Sequence, residues 1–508
     1  MSSATATQPQ LFGAAGHWPG GVVRRVIPQF NIGQFAQALV ALLALFLLNK
    51  GGTLGSVAFF FILLVLAATG TAGSLKALAI VGLGVQLNQF FVPKTMIWGP
   101  GRIGLTAFCC LRIFIDVAGS GAMRIPATVI TLTVFAFTAA VCSMLSGYYV
   151  HIALLKLLNF WTGAAAILLG TEYLRRRRYD LSQWFVSLIY VIVVVGVAAI
   201  AVGQSRNYLV YRGAAESVMA SSLFNGAFLH PNTHSSIAAP ALTFLLAATI
   251  YGRYRNRWIT ALAAALLAYF VVTSRSRSAL ASAIVGATVL VLYARPVRQF
   301  GHRLLRPNIR RGTLVALAAA LFVLIGTYDQ VRGGRIAAEV IAFINKSKNT
   351  ESVDSGDIIK SREGKIRESW QVFLTSPIYG IGFQVQKSLY FQQNATLFTA
   401  PAEKGFLPTA VLEEGGILGA TTFVIFLFTF ARSLIRSKNI PGMAVAASVF
   451  LSTIPEVAIF AMGGAATYMW SIMGAAMIMG DHCWTGAAIR GRGHVPPEFA
   501  DGRLSATG

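Results

Sequence analysis

Residues 173–203 read YLRRRRYDLSQWFVSLIYVIVVVGVAAIAVG. Four arginines, Arg175 to Arg178, are followed by a stretch from Ser182 to Gly203 that holds no charged side chain. A helix rises about 1.5 Å per residue, so this stretch can cross a ~30 Å hydrocarbon core. The arginines mark the end kept at the cytoplasmic surface, because short basic loops resist translocation.

The same pattern repeats on either side. Apolar segments lie at 33–49, 55–70, 77–92, 102–119, 126–147, 152–171, 182–203, 235–251, 257–273, 278–293, 313–328, 406–431, 442–460 and 464–480. Basic residues fall on alternate connections: Arg24 and Arg25, Lys76, Arg124, Arg175 to Arg178, the arginines at 253, 255 and 257, those from Arg295 to Arg311, then Arg432, Arg436 and Lys438, and last Arg490 and Arg492. Both termini are expected in the cytoplasm, and the phase of the basic loops requires an even number of spans. The expected fold is an all-α polytopic membrane protein of about 14 transmembrane helices. Its parts are an N-terminal tail (1–32), eleven spans (33–328), one large loop outside the cytoplasm with short helices of its own (329–405), three further spans (406–480) and a cytoplasmic C-terminal tail (481–508).

Composition excludes a soluble fold, since 55% of the 508 residues are hydrophobic and only 12% are charged. The net charge of +24 invites a nucleic-acid reading. Most of that excess sits in short loops beside apolar segments, where orientation in the membrane and anionic headgroups account for it. Cys109, Cys110, Cys142 and Cys483 do not form a disulfide framework, and Asp481-His482-Cys483 is too compact for a metal site. No small-residue cleavage site follows an early apolar core, so the first span is expected to serve as the insertion signal.

Two connections on the non-cytoplasmic face are long, 204–234 and 329–405, and the second holds eight of the 18 acidic residues. Gly334 to Asn345 puts Ile336, Val340, Phe343 and Ile344 on one helical face, the pattern of a helix lying on the membrane. Ser361 to Leu374 is helical in pattern again, and Pro377, Gly380 and Gly382 stop it. Chemistry on a substrate is therefore expected at the outer membrane surface.

Arg275 and Arg277 stand in the tight turn TSRSRS on that face. They either snorkel to headgroups or form a fixed cationic cup, and guanidinium forks match phosphate oxygens in pairs. Arg362 and Arg367 are five apart in the loop helix, so they do not share a face. The two regions together suggest a diphosphate clamp. Arg112 and Asp116 are four apart and can neutralise each other, whereas Lys156, Glu413, Glu414 and Glu456 have no such partner in their own segments. His230 and His234 flank Pro231 and Asn232 at the mouth of a span, where they either hydrogen-bond the helix start or touch sugar or phosphate.

Four stretches in order carry a resemblance: LFNGAFLHPNTHSS (223–236), TSRSRSAL (273–280), SREGKIRESWQVFLTSPIYGIGF (361–383) and EKGFLPTAVLEEGGILG (403–419). They are similar to the "G-x-F-x-H-x-N", "S-R-x-x-L", "P-x-x-G-x-G" and "E-x-G-x-x-G" motifs of the bacterial O-antigen ligase and polysaccharide polymerase superfamily. The resemblance spans roughly 220–420. It implies a glycosyltransferase of the bacterial inner membrane acting at the periplasmic face on undecaprenyl-diphosphate-linked glycans, both donor and acceptor. Taken with the residue-level reading, it makes Glu403, Arg277 and Arg367 the candidate catalytic residues, Arg275, Arg277, Arg362 and Arg367 the candidate diphosphate contacts, and His230, Asn232, His234, Lys404 and Glu414 the candidate substrate contacts. Candidate partners are membrane lipids, a chain-length regulator and polysaccharide export proteins. Glu414 can equally be structural, since Gly416 and Gly419 follow it at a spacing that permits close helix packing.

The sequence departs from the ligases at one point. They commonly carry a histidine at the opening of the helix after the large loop, whereas here no histidine occurs between His302 and His482, and Glu403 and Lys404 stand in that neighbourhood. This favours a polymerase over a ligase. Glu403 either accepts the acceptor hydroxyl's proton or complements the dipole of the helix it precedes. The charge that develops falls on the leaving diphosphate, where fixed arginines can meet it, so no metal or other cofactor is expected. A lipid-linked oligosaccharide flippase is the reading from another class, but the paired halves and broken helices usual in transporters are not evident in the sequence.

Overall fold

The computed structural model describes residues 36, 39, 40, 50–87, 92, 95–121, 125–202, 226–228, 231–251, 257–274, 276–293, 360–387, 404, 406–455 and 457–491. Of residues 231, 257, 258, 360–362 and 481–491 it describes the backbone alone. The expected spans at 33–49 (apart from positions 36, 39 and 40, which are helical) and 313–328, and the surface helix at 334–345, lie outside the described residues.

Among the described residues the regular elements are helices: α1 (Gly52–Ala68), α2 (Thr71–Gln86), α3 (Trp98–Gly119), α4 (Ala127–Ser146), α5 (Val150–Arg176), α6 (Ser182–Ala201), α7 (Pro231–Ile250), α8 (Arg257–Thr273), α9 (Arg277–Tyr293), α10 (Lys360–Thr375), α11 (Leu407–Arg436), α12 (Ile440–Thr453) and α13 (Ala465–Gly491). Among the described residues, α4, α5, α6, α7 and α11 are long and apolar enough to cross a membrane, and six further helices are apolar but shorter. This is an all-α polytopic membrane protein.

Side-chain chemistry explains where several of these helices begin and end. The expected span 77–92 is a helix over 71–86, because Asp116 of α3 accepts from both the backbone N–H and the hydroxyl of Thr71, each at 2.8 Å, and so caps α2. The same carboxylate pairs with Arg112 at 3.0 Å, the i,i+4 neutralisation expected from the sequence. The apolar run 442–460 does not remain one helix. It ends at Thr453, just before Pro455, whose missing N–H cannot continue the ladder, and a single 3-10 turn follows at Ala458–Phe460. At the other end of α12 the Asn439 side chain accepts from the N–H of Gly442 at 2.9 Å and donates to the Met477 carbonyl, which ties α12 to α13.

α11 packs along α4, α9 along α12, and α7 contacts α8, α9 and α12. Aromatic rings fill the junction of α4, α5 and α11: Phe135 lies 5.2 Å from Phe423, and Phe160 lies 5.1 Å from Phe460. Into this layer comes Phe383, a residue of the chain following α10, with its ring 5.7 Å from Phe160 and 5.4 Å from Phe460. The large loop is thus anchored inside the bundle through its P-x-x-G-x-G end.

Candidate functional site

The head of α11 is a broken helix. Gly416 has φ 59° and ψ −160°, a conformation open to glycine and costly for other residues. A break leaves carbonyls and N–H groups of the helix without their usual partners. The chain after α10 supplies them. Ile381 and Gly382 donate N–H bonds to the carbonyls of Glu413 and Glu414, each at 2.9 Å, while Ile417 and Leu418 donate to the carbonyls of Pro377 and Ile378 at 2.9 and 3.2 Å. The two glycine motifs of the sequence therefore form one structure. Gly380, at φ 66°, lies where a Cβ would come within 2.6 Å of the Glu413 carbonyl oxygen, so close approach and backbone conformation both demand glycine. Gly416 thus serves the break rather than helix-to-helix packing, which corrects the reading of its spacing.

The end of α4 grips the same segment. Ser146 donates to the Ile381 carbonyl at 3.0 Å, Ser143 accepts from the Phe383 N–H at 3.1 Å, and Tyr148 donates to the Gln386 carbonyl at 3.3 Å.

Beside the break lies a buried group of charges. Lys404 Nζ stands 3.1 Å from Glu413 Oε1 and 3.2 Å from Glu414 Oε1, and all three side chains are almost wholly enclosed. The Glu414 carboxylate also accepts from the Gln384 N–H. On the other side of that residue, Lys156 Nζ from α5 donates to the Gln384 carbonyl at 3.2 Å and feels the charge of Glu414. Two lysines thus balance two glutamates, which is what burial of ionised groups requires. Burial opposes the charge on Lys404, but the carboxylates of Glu413 and Glu414 outweigh it and hold the ammonium above the usual lysine range. A water-sized gap next to Glu414 is lined by Phe135, Ala139, Phe383, Val411, Gly415 and Phe460.

Of the residues singled out in the sequence, the structure brings Lys404 and Glu414 into contact. Lys404 is 2% exposed, so its charge is spent inside the protein. Arg277 is half-buried and opens α9, where its guanidinium adds to the positive end of the helix dipole. Arg367 is on the exposed side of α10, and α10 packs on α11. Asn232 and His234 lie in the first turn of α7. His234 is buried, its ring 5.1 Å from Phe228 and 5.4 Å from Phe270, and it also sits under Gly226. Glu403, Arg275, His230 and Glu456 lie outside the described residues, as does the side chain of Arg362. Sequence reasoning did not find Lys156 and Gln384 as members of this group. The signal available for Lys156 was one lysine in an otherwise apolar span, and for Gln384 there was none.

A many-helix membrane bundle whose large loop is stitched into a broken helix by backbone bonds and buried charge is the class these observations define. Residues 262–424, about a third of the chain, match the family described as O-antigen ligase, which supports the O-antigen ligase and polymerase superfamily for this chain. The match contains three of the four stretches quoted from the sequence, the hairpin before α9, the whole of α10 with its glycine motif, and the head of α11. No curated protein matches the chain.

Proposed function

We propose that this protein polymerises undecaprenyl-diphosphate-linked repeat units at the periplasmic face of the bacterial inner membrane. The observation that carries the reading is the match of 262–424 to O-antigen ligase, a stretch that contains Arg275, Arg277, Arg362, Arg367, Glu403, Lys404 and Glu414. A polymerase is favoured over a ligase because the chain has no histidine between His302 and His482. Lys404, from the neighbourhood where the ligases carry theirs, is committed to two carboxylates.

In the reaction an acceptor hydroxyl oxygen bonds to the donor's anomeric carbon as the bond from that carbon to undecaprenyl diphosphate breaks. Glu403 takes the hydroxyl proton, and Arg277, with Arg275, Arg362 and Arg367, meets the charge on the departing diphosphate. Groups aimed at that charge lower the barrier because the charge is larger in the transition state than in the bound donor. Purified protein in liposomes, given synthetic lipid-diphosphate repeat units, is expected to yield a ladder of lengthened lipid-linked glycans. Transfer to a non-diphosphate acceptor with no ladder would make it a ligase, and movement of intact units across the bilayer with no new glycosidic bond would make it a flippase.

Two further outcomes test the frame of this reading. Cysteine labelling from outside intact spheroplasts should modify a probe placed at Ser355 and spare one at Gln299, since 329–405 is proposed to face the periplasm and 295–311 the cytoplasm. The reverse pattern removes the mechanism along with the topology. Arg277→Lys should lose on the order of tenfold in turnover, close to the loss in Arg277→Ala, because lysine keeps the charge and loses the planar two-pronged contact. Near-normal turnover in the lysine variant would reduce Arg277 to a headgroup anchor.

A further inference from the structure

α10 is the polar helix of the described set, yet the C-terminal half of one edge is apolar and exposed. Arg367, Trp370 and Leu374 follow one another at helical spacing along that edge, with Trp370 46% and Leu374 59% exposed. Ser369 and Phe373, on the adjoining face, are buried. Lys365, Glu368 and Thr375 occupy the far side and are exposed, so the helix is amphipathic in a second sense, with an open apolar edge as well as a packed one.

The open edge does not end with the helix. Ile378, 59% exposed, follows it, and the carbonyls of Pro377 and Ile378 are bonded to the N–H groups of Ile417 and Leu418 on α11. Ile417 is 54% exposed and heads a stripe of exposed apolar side chains, Val424, Phe428 and Ile435, at spacings of one helical face along α11. α11 is long and apolar enough to cross the membrane, and such a stripe on its outside faces hydrocarbon.

We propose that the edge formed by Trp370, Leu374 and Ile378 rests against the acyl chains of the bilayer at its boundary, so that α10 is an interfacial helix whose depth is set by lipid. Continuity decides the occupant: Ile378, at the end of the α10 edge, is backbone-bonded to α11 beside Ile417, where the exposed apolar stripe of α11 begins. A protein partner would have to cover the α11 stripe as well. Trp370 is the side chain best suited to the boundary, with an apolar body and one polar N–H. That the boundary is the periplasmic one rests on the topology proposed above. The lipid seat does not.

The test uses the full chain in proteoliposomes and compares its tryptophan emission with that of Trp370→Phe, the difference being the light from Trp370. Phospholipids brominated near the headgroup end of the acyl chain are expected to remove most of that difference, and aqueous acrylamide very little. Strong quenching by acrylamide and little by bromolipid would place the edge in water. Quenching by neither would place protein on it, whether another segment or a second copy. Either result overturns the proposal. No turnover is read in this measurement, so the proposed polymerase activity stands or falls separately.

Discussion

Lys404→Met is expected to cost about 3–5 kcal/mol of stability, the usual penalty for removing one partner of a buried ion pair. The loss arises because Glu413 and Glu414 would remain enclosed with one cation, Lys156, where two had balanced them. The gap beside Glu414 is lined almost wholly by apolar side chains, so little in the protein can replace the ammonium. Adding Glu413→Gln to the same chain leaves Glu414 facing Lys156, one charge against one, and should restore more than half of what was lost. Thermal unfolding of the three proteins in one detergent measures this. A Lys404→Met chain as stable as the original would mean that the pairing contributes nothing. A double variant no better than the single would mean that shape, not charge, was at stake.

The second large effect concerns Glu403. If it is the proton acceptor, Glu403→Gln should lower the rate by about 10²-fold or more while donor binding is kept, which is the worth of a positioned general base. Histidine at this position, Glu403→His, should then recover part of the activity, since it restores a proton acceptor. A carboxylate that only complements the dipole of α11 predicts a different pattern: a loss of ~0.3–1 kcal/mol in stability and unchanged turnover. Initial rates in liposomes together with unfolding midpoints separate the two roles. Less than a few-fold change in rate would remove Glu403 from the chemistry and turn attention to His230.

Much of the bundle was legible because continuous apolar runs with charged ends admit few alternatives. The run at 182–203 is a helix over 182–201, and that at 126–147 is one over 127–146. Boundaries set by other parts of the molecule were not legible in this way. α2 starts six residues earlier than its apolar run because a carboxylate on α3 caps it, and nothing near Thr71 in the sequence announces that carboxylate. The break at Gly416 was misread for a related reason. Adjacent glycines after two glutamates fit close packing as well as they fit a break, and the choice is made by the carbonyls of Pro377 and Ile378, nearly forty positions upstream. The charged group had the same limit. Lys156, Glu413 and Glu414 each looked unpartnered because their partners come from other elements, and Lys404 was weighed for contact with substrate rather than for contact with α11.

The Glu414 carboxylate takes both the Gln384 N–H and the Lys404 ammonium. Gln384 and Lys404, twenty positions apart in sequence, are thus brought to a single carboxylate. Lengthening a loop with fixed ends is cheap, about 0.6 kcal/mol for each doubling. Because residues twenty positions apart in sequence are fixed at one carboxylate, insertions or deletions between them are expected to cost little and to leave the register of the helices that hold the two ends unchanged.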